Sequence, residues 1–316
     1  MAIPQTWTFD APTGTYKNHF LSEDLLEAAI EDTQFMQFVR TVGGYGKKMG
    51  DTVTITRVKD TGVPTDGKIK EKERIPEDTI TLNTVAVTVS EWGRSIPYTE
   101  LSGTLSKFDM SSLVQQQLKN QLKRVMDNAA AAAFKTAKIK AIPSGATVVT
   151  FDTNGTPSTP ATVVINTTHL ELILDYLYDT LLAPALEGDD YVGIFANKSI
   201  RGIKDDPTWE EWFKYVNPDA KFNSEAGRWE NLRLLRTNNA TALSKTQGTG
   251  SVLGEGIIFG QDSVVMAAVL DPEMRMAQPE DFGRSHNVAW YGILEFLLLW
   301  DTGNAGEARV IHVTSS

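Results

Sequence analysis

The chain has 316 residues, 41% of them hydrophobic and 22% charged, which is enough apolar surface to bury the core of one large or two ordinary domains. It contains no cysteine, and this excludes disulfides, thiolate metal sites and cysteine nucleophiles. A formal charge of -10 excludes a protein that coats nucleic acid with its whole surface, while leaving room for a local basic patch.

Met1 to Gln5 lacks the basic region and apolar core of a secretory signal, and the longest apolar run, Phe296 to Trp300, is too short to span a bilayer. The expectation is a soluble intracellular product with no membrane partner, in which the Asn-x-Ser/Thr matches at Asn154, Asn166, Asn197 and Asn239 carry no glycosylation signal. Residues 1 to 20 are rich in Pro, Thr, Gly and aromatics without helical periodicity, which predicts an extended arm. Ser22 then opens a predicted helix whose apolar positions are Leu25, Leu26, Ala29, Ile30, Phe35, Phe38 and Val39, and which ends at Gly43-Gly44-Tyr45-Gly46.

From Asp51 the pattern alternates, with Val53, Ile55 and Arg57 on one side and Thr52, Thr54 and Thr56 on the other, as a half-exposed strand requires. A second such run covers Thr79 to Ser90. Between them, Lys59 to Asp78 interleaves Lys68, Lys70, Lys72 and Arg74 with Glu71, Glu73, Glu77 and Asp78 and has almost no large apolar side chain. This is the pattern of a long two-stranded arm with a charged tip. Because an isolated hairpin is marginal in water, such an arm is expected to lie on another subunit.

Asp109 to Ala137 reads as one long helix, with Leu113, Leu118, Leu122, Val125, Ala129, Ala133 and Phe134 at three- and four-residue steps and Asp127 among the polar positions between them. No glycine or proline interrupts it, and at 1.5 Å per residue it is roughly 40 Å long, more than a small domain needs. Further on, Asp152-Thr153-Asn154-Gly155 marks a turn between strands, and Thr168 with Glu171 forms a capping box that opens a second helix through Leu182. Tyr191 to Ala196 and Leu232 to Thr237 are strand-like, with a helical, aromatic segment from Thr208 to Tyr215 between them. The segment from Gly260 to Leu270 reads as a helix, and His286 to Trp300 with Arg309 to Val313 as a closing hairpin buried on both sides. No internal repeat is present. This order of elements implies an α+β chain and disfavours regular βαβ winding.

Signals of enzyme chemistry are weak. Gly62 to Lys68 matches most of a phosphate-binding loop, but Ile69 stands where magnesium would need a hydroxyl and no apolar helix follows. Gly248-x-Gly250-x-x-x-Gly254 runs into Gly256-Ile257-Ile258-Phe259, a strand pattern, so it is a turn and not a dinucleotide fingerprint. His19, His169, His286 and His312 have no metal-ligand spacing and read as surface or strand histidines. The pairs Asp189-Asp190, Asp205-Asp206 and Glu210-Glu211 read as solvated charge or helix starts, and Trp209, Trp212 and Trp229 as buried or interface surface. No catalytic, cofactor-binding or metal-binding residue is assigned.

Three segments carry a resemblance: Val87-Thr88-Val89-Ser90-Glu91-Trp92-Gly93-Arg94-Ser95-Ile96-Pro97-Tyr98, Asn231-Leu232-Arg233-Leu234-Leu235-Arg236-Thr237-Asn238, and Asp281 to Gly292. They are similar to segments of the coat proteins of phage N4-like and related viruses, and with the order of elements the chain resembles a tailed-bacteriophage major capsid protein of the Hong Kong 97-type fold. The resemblance implies an N-terminal arm and helix at 1–49, an extended loop at 50–95 and a spine helix with peripheral-domain elements at 96–164. It further implies a mainly axial domain at 165–260 and closing peripheral-domain elements at 261–316.

On the same resemblance Lys68, Lys70, Glu71, Lys72, Glu73 and Arg74 contact a neighbouring subunit. Copies assemble into hexamers and pentamers that enclose double-stranded DNA without sequence-specific binding, in the virion, after assembly in the host cytoplasm. Scaffolding, portal and decoration proteins are further candidate partners, and no cofactor is implied. Some relatives join a loop lysine to a neighbour's asparagine, but no partner for Lys68, Lys70 or Lys72 is identifiable here. Two other readings stay open: a cellular nanocompartment shell of the same fold, and a soluble hydrolase with a dispersed site.

Overall fold

The computed structural model describes residues 30–43, 50–59, 61–62, 67–69, 71–72, 74–215, 224–246, 254–279, 281–300 and 307–316, with the backbone alone at 212–215. Residues Glu31 to Ser316 pack as one unit. In chain order its elements are β1 (Arg40–Val42), β2 (Thr52–Val58), β3 (Leu82–Thr88), β4 (Ser90–Thr99), α1 (Glu100–Leu105), α2 (Met110–Lys135), β5 (Ile139–Gly145) and β6 (Val148–Asp152). They are followed by α3 (Thr167–Asp175), β7 (Tyr191–Ala196), α4 (Asn197–Lys204), α5 (Pro207–Tyr215), β8 (Glu225–Trp229), β9 (Leu232–Thr237), β10 (Gly256–Phe259), β11 (Val264–Met276), β12 (Ser285–Leu298) and β13 (Val310–Val313).

The predicted long helix is present as α2, 26 residues from Met110 to Lys135. Asp109 caps it, its side chain accepting the N–H of Ser111 at 3.0 Å, so one of the unpaired donors of the first turn is satisfied. Its inward face is Val114, Leu118, Met126, Ala130, Ala131, Ala133 and Phe134, rotated slightly from the sequence expectation. That face packs on a four-stranded sheet of order β1-β11-β12-β4. Along β12 the even positions from Val288 to Leu298 are buried and the odd ones half-buried, the period of two expected where one side lies under a helix. Trp290 is fully enclosed there, with its indole N–H 3.4 Å from Gln121 of α2.

The second sheet has seven strands in the order β6-β5-β13-β10-β7-β9-β8. Its centre is covered on both faces. Val192, Ile194, Ile257 and Phe259 join the core that α2 closes with Phe134, while Tyr191, Phe195, Ile258 and Ile311 face a second core with α3, α4, Trp209 and Trp229. This double coverage is why Tyr191–Ala196 and Gly256–Phe259 are continuous apolar runs without alternation. Gly256 is needed here, since a Cβ would lie 2.1 Å from the Phe195 ring.

Four sequence expectations are overturned. The predicted helix from Gly260 to Leu270 is instead the start of β11: Val264, Val265 and Val269 are stiff at χ1 and suit a strand enclosed by β1, β12, α2 and the β2–β3 pair. The predicted closing hairpin does not form, because β12 pairs with β11 and β4 in one sheet while β13 pairs with β10 and β5 in the other. The described part of the predicted helix from Ser22 is a short 3-10 turn at Met36–Phe38 followed by β1, whose pairing with β11 holds that chain extended; Ser22 to Ala29 lie outside the described residues. The cap expected at Thr168 lies two residues earlier: α3 starts at Thr167 and its reciprocal cap joins Asn166 to His169, whose ring nitrogen accepts the Asn166 N–H where Glu171 was expected to act.

Candidate intersubunit surface

The arm between Asp51 and Val89 is built from two strands in continuous register, Thr52 opposite Thr88 through Val58 opposite Leu82. Val53, Ile55 and Arg57 point to one side, as the alternation predicts. At its root Val53 and Val87 pack on Ala267 of β11, with Ile55, Val89 and Leu297 around them. Arg57 is buried, donates to the Leu299 carbonyl at 2.9 Å and places its guanidinium over the Trp300 ring, 5.4 Å from the centroid. Arg309 covers the same ring at 4.4 Å, and Lys59 pairs with Glu307. The last ladder bond is Lys59 N–H to the Thr81 carbonyl, 3.0 Å.

Beyond that bond every described residue up to Leu82 is exposed. Lys68, Glu71, Lys72 and Arg74 all lie on this exposed stretch; Lys70 and Glu73 lie outside the described residues. Lys72 has a positive φ of 75°, and Arg74 pairs with Glu77, both largely in solvent. The tip is also less purely charged than its composition suggests. Ile69, Ile75, Ile80, Leu82 and, on the facing strand, Val58 are each more than half exposed. Sequence reasoning passed over these residues because single isoleucines spaced among charges carry no period.

A second exposed apolar group sits where β4 and β12 begin to part. Thr99 pairs with Ser285, the Glu100 N–H bonds to the Arg284 carbonyl at 2.9 Å, and Leu101, Leu105 and Met276 stand in solvent nearby in the fold. Phe282 is fully exposed on a backbone of φ 56°, a conformation that bulky side chains rarely adopt.

The interior ionisable groups tie elements together. Lys140 of β5 donates to the Lys135 carbonyl at 2.8 Å and lies 3.0 Å from His312 Nδ1 of β13; its burial lowers its pKa to about 8. With Nδ1 accepting, the proton of the neutral imidazole is on Nε2, 3.6 Å from Glu255. Burial alone would raise the Glu255 carboxyl, but His312, the Lys135 ammonium at 2.7 Å and the Ser244 N–H at 2.8 Å outweigh it and hold it at about 2. Asp190, expected in solvent, is buried and bonded to both Arg228 at 2.7 Å and Arg233 at 2.8 Å, since the parallel pairing of β7 with β9 brings Arg233 beside it. Asp206 is a helix-start residue as expected, accepting the Thr208 N–H at 3.1 Å. Trp209 and Trp229 stack at 5.7 Å in the core, while the Trp212 side chain lies outside the described residues.

Among the described residues no group of three His, Asp or Glu is placed to hold a metal ion, and no helix is long and apolar enough to cross a membrane. His286 stacks on Tyr98 and meets Glu100 at 3.0 Å, far from His169 and His312 in the topology; His19 lies outside the described residues. Gly62, Gly67 and Lys68 are exposed on the arm; Val63 to Asp66, like Gly248 and Gly250, lie outside the described residues.

No family model matches the chain, and no curated protein sequence matches it. Solved structures do. The capsid of Ralstonia phage GP4 superposes with a TM-score of 0.67 at 14% identity, covering 98% of this chain and 99% of that one. The capsid asymmetric unit of cyanophage Pam1 gives 0.70 at 13% identity over 99% of both chains. The chain has the Hong Kong 97-type capsid fold. The head structure of Helicobacter pylori bacteriophage KHP40 gives 0.70 at 10% identity, covering 96% of this chain and 97% of that one.

Proposed function

We propose that the protein is the major capsid protein of a tailed bacteriophage, a non-enzymatic subunit that self-assembles into the icosahedral shell around double-stranded DNA. The observation that carries this reading is that solved capsid chains superpose on it over 98–99% of this chain and 99% of theirs. The exposed arm supports it too, because Ile69, Ile75 and Ile80 stand in solvent beyond the paired strands, apolar surface of the kind that a partner covers. The reading places the subunit in the virion after assembly in the host cytoplasm, in hexamers and pentamers, with scaffolding, portal and decoration proteins as further partners.

Within it, 1–49 is the arm and N-terminal segment, 50–95 the extended loop, 96–164 the spine with peripheral elements, 165–260 mainly the axial domain and 261–316 the closing peripheral elements. Lys68, Lys70, Glu71, Lys72, Glu73 and Arg74 then meet a neighbouring subunit, together with the isoleucines beside them. The finer kinship, to phage N4-like coat proteins, rests on the three segments named from the sequence. Negative-stain microscopy with light scattering of the purified chain, alone and with a co-expressed scaffold, tests the reading. Closed shells or capsomers are expected, and a persistent monomer at high concentration under both conditions overturns it.

A further inference from the structure

We propose that the solvent face of the N-terminal half of α2 is the surface that meets the phosphate backbone of duplex DNA, an inference that rests on the reading of the chain as a shell subunit. The chain carries a formal charge of -10, yet the only carboxylate in the 26 residues of α2 is Asp127, which is fully buried. The exposed face from Met110 to Lys135 therefore carries no negative side chain of its own, the nearest along the chain being the exposed Asp109 carboxylate that caps the first turn. Along this face lie Ser112, Gln115, Gln116, Lys119, Asn120 and Lys123, with the half-buried Leu122 beside them. Lys119 and Lys123 are exposed, stand one helical turn apart on the same side, and make no ion pair among the described residues. Arg124 is different: both its Nε and Nη2 are held by Glu31, at 3.0 and 2.7 Å.

The chemistry of this face selects the partner. Two ammonium groups without an ion pair among the described residues supply charge complementarity to phosphate, and the side-chain amides of Gln115, Gln116 and Asn120 can donate to phosphate oxygens without reading base edges, while the Ser112 hydroxyl donates to the Asp109 carbonyl. A protein partner would be expected to find aromatic, methionine or arginine anchors at the centre of its contact, and this face offers only the half-buried Leu122. With two phosphates neutralised per copy, binding weakens only about tenfold between 50 and 200 mM salt. Each contact is thus weak, and many identical copies give the shell a sum of loose contacts along which DNA can move.

Two measurements test this. In the first, a fluorescein-labelled 20-base-pair duplex of mixed sequence is titrated with unassembled subunits at 50 mM salt. The double variants Lys119→Glu/Lys123→Glu and Lys119→Gln/Lys123→Gln should each lower the affinity at least tenfold with unchanged melting, whereas Lys198→Glu, an exposed lysine on α4, should not. Equal loss in all three, or no loss in the two double variants, overturns the proposal. In the second, a photo-crosslinking residue at position 116 is irradiated in DNA-filled particles. A covalent adduct with DNA is expected; an adduct only with protein, such as an acidic scaffold, or no adduct, overturns it. If no particle forms at all, the shell reading falls, and the duplex titration still decides whether this face binds DNA.

Discussion

Asp127 Oδ1 accepts the backbone N–H of Phe35 at 2.7 Å, and the N–H of Met36 at 3.2 Å, inside a core that encloses both Asp127 and Phe35 completely. One carboxylate on the long helix thus satisfies the start of the 3-10 turn 92 residues before it and fixes the entry of the chain onto the sheet. Removing it leaves the buried Phe35 N–H and the part-buried Met36 N–H without this partner.

Asp127→Ala should cost about 1–3 kcal/mol, the penalty for buried donors left unpaired, read as a lower urea midpoint. Burial raises the Asp127 pKa above its ordinary 3.8 despite the hydrogen bonds from Met36, Phe35 and Gln34 that lower it. A raised carboxyl pKa means that the folded chain keeps a proton the unfolded chain has released, so this group favours folding at low pH and the advantage is lost as pH rises through its folded value. Asp127→Asn, which keeps an acceptor without the charge, should therefore be more stable than wild type at pH 7, by a margin that shrinks as the pH falls.

Glu255 has the opposite sign. Its pKa is held at about 2, against an ordinary 4.5, so its contribution is present above 4.5 and is lost as pH falls from there toward 2. Stability measured by urea unfolding across pH 2–7 should show an acid limb that is shallower in Glu255→Gln. A limb of unchanged slope would place the acid sensitivity elsewhere.

Val125 lies in the middle of α2 with its side chain half-buried. Val125→Pro removes a helix hydrogen bond and clashes with the preceding turn, at a cost of about 3 kcal/mol or more in a chain of ordinary marginal stability. Insoluble protein and no particles are expected, and wild-type melting of this variant would contradict a continuous helix.

The arm separates folding from assembly. Replacing residues 61–78 by a short Gly-Ser turn removes described residues that are all exposed, so melting should stay close to wild type while shells are reduced or abolished. Arg57→Ala acts at the root instead, deleting the bond to the Leu299 carbonyl and the stack on Trp300. Faster amide exchange confined to Thr52–Val58 and Leu82–Thr88 is expected there.

The sequence by itself determined the elements whose periodicity is local: the uninterrupted run from Asp109 that became α2, the alternating strands of the arm, and the strands at Tyr191 and Leu232. It also located the exposed stretch that serves as the candidate contact surface, because a segment without apolar period cannot enter a core. Only the tertiary structure decided that Val264 to Leu270 is a strand, since an apolar run buried on both sides looks alike in helix and sheet until its partners are known. Only it sent β12 and β13 to different sheets, because strand pairing is hydrogen bonding between distant segments and leaves no mark in either segment alone. The same holds for Asp127 and Asp190, polar by type and buried by circumstance: each is held inside by donors, the Phe35 amide and the Arg233 guanidinium, that the chain brings to them from 92 and 43 residues away.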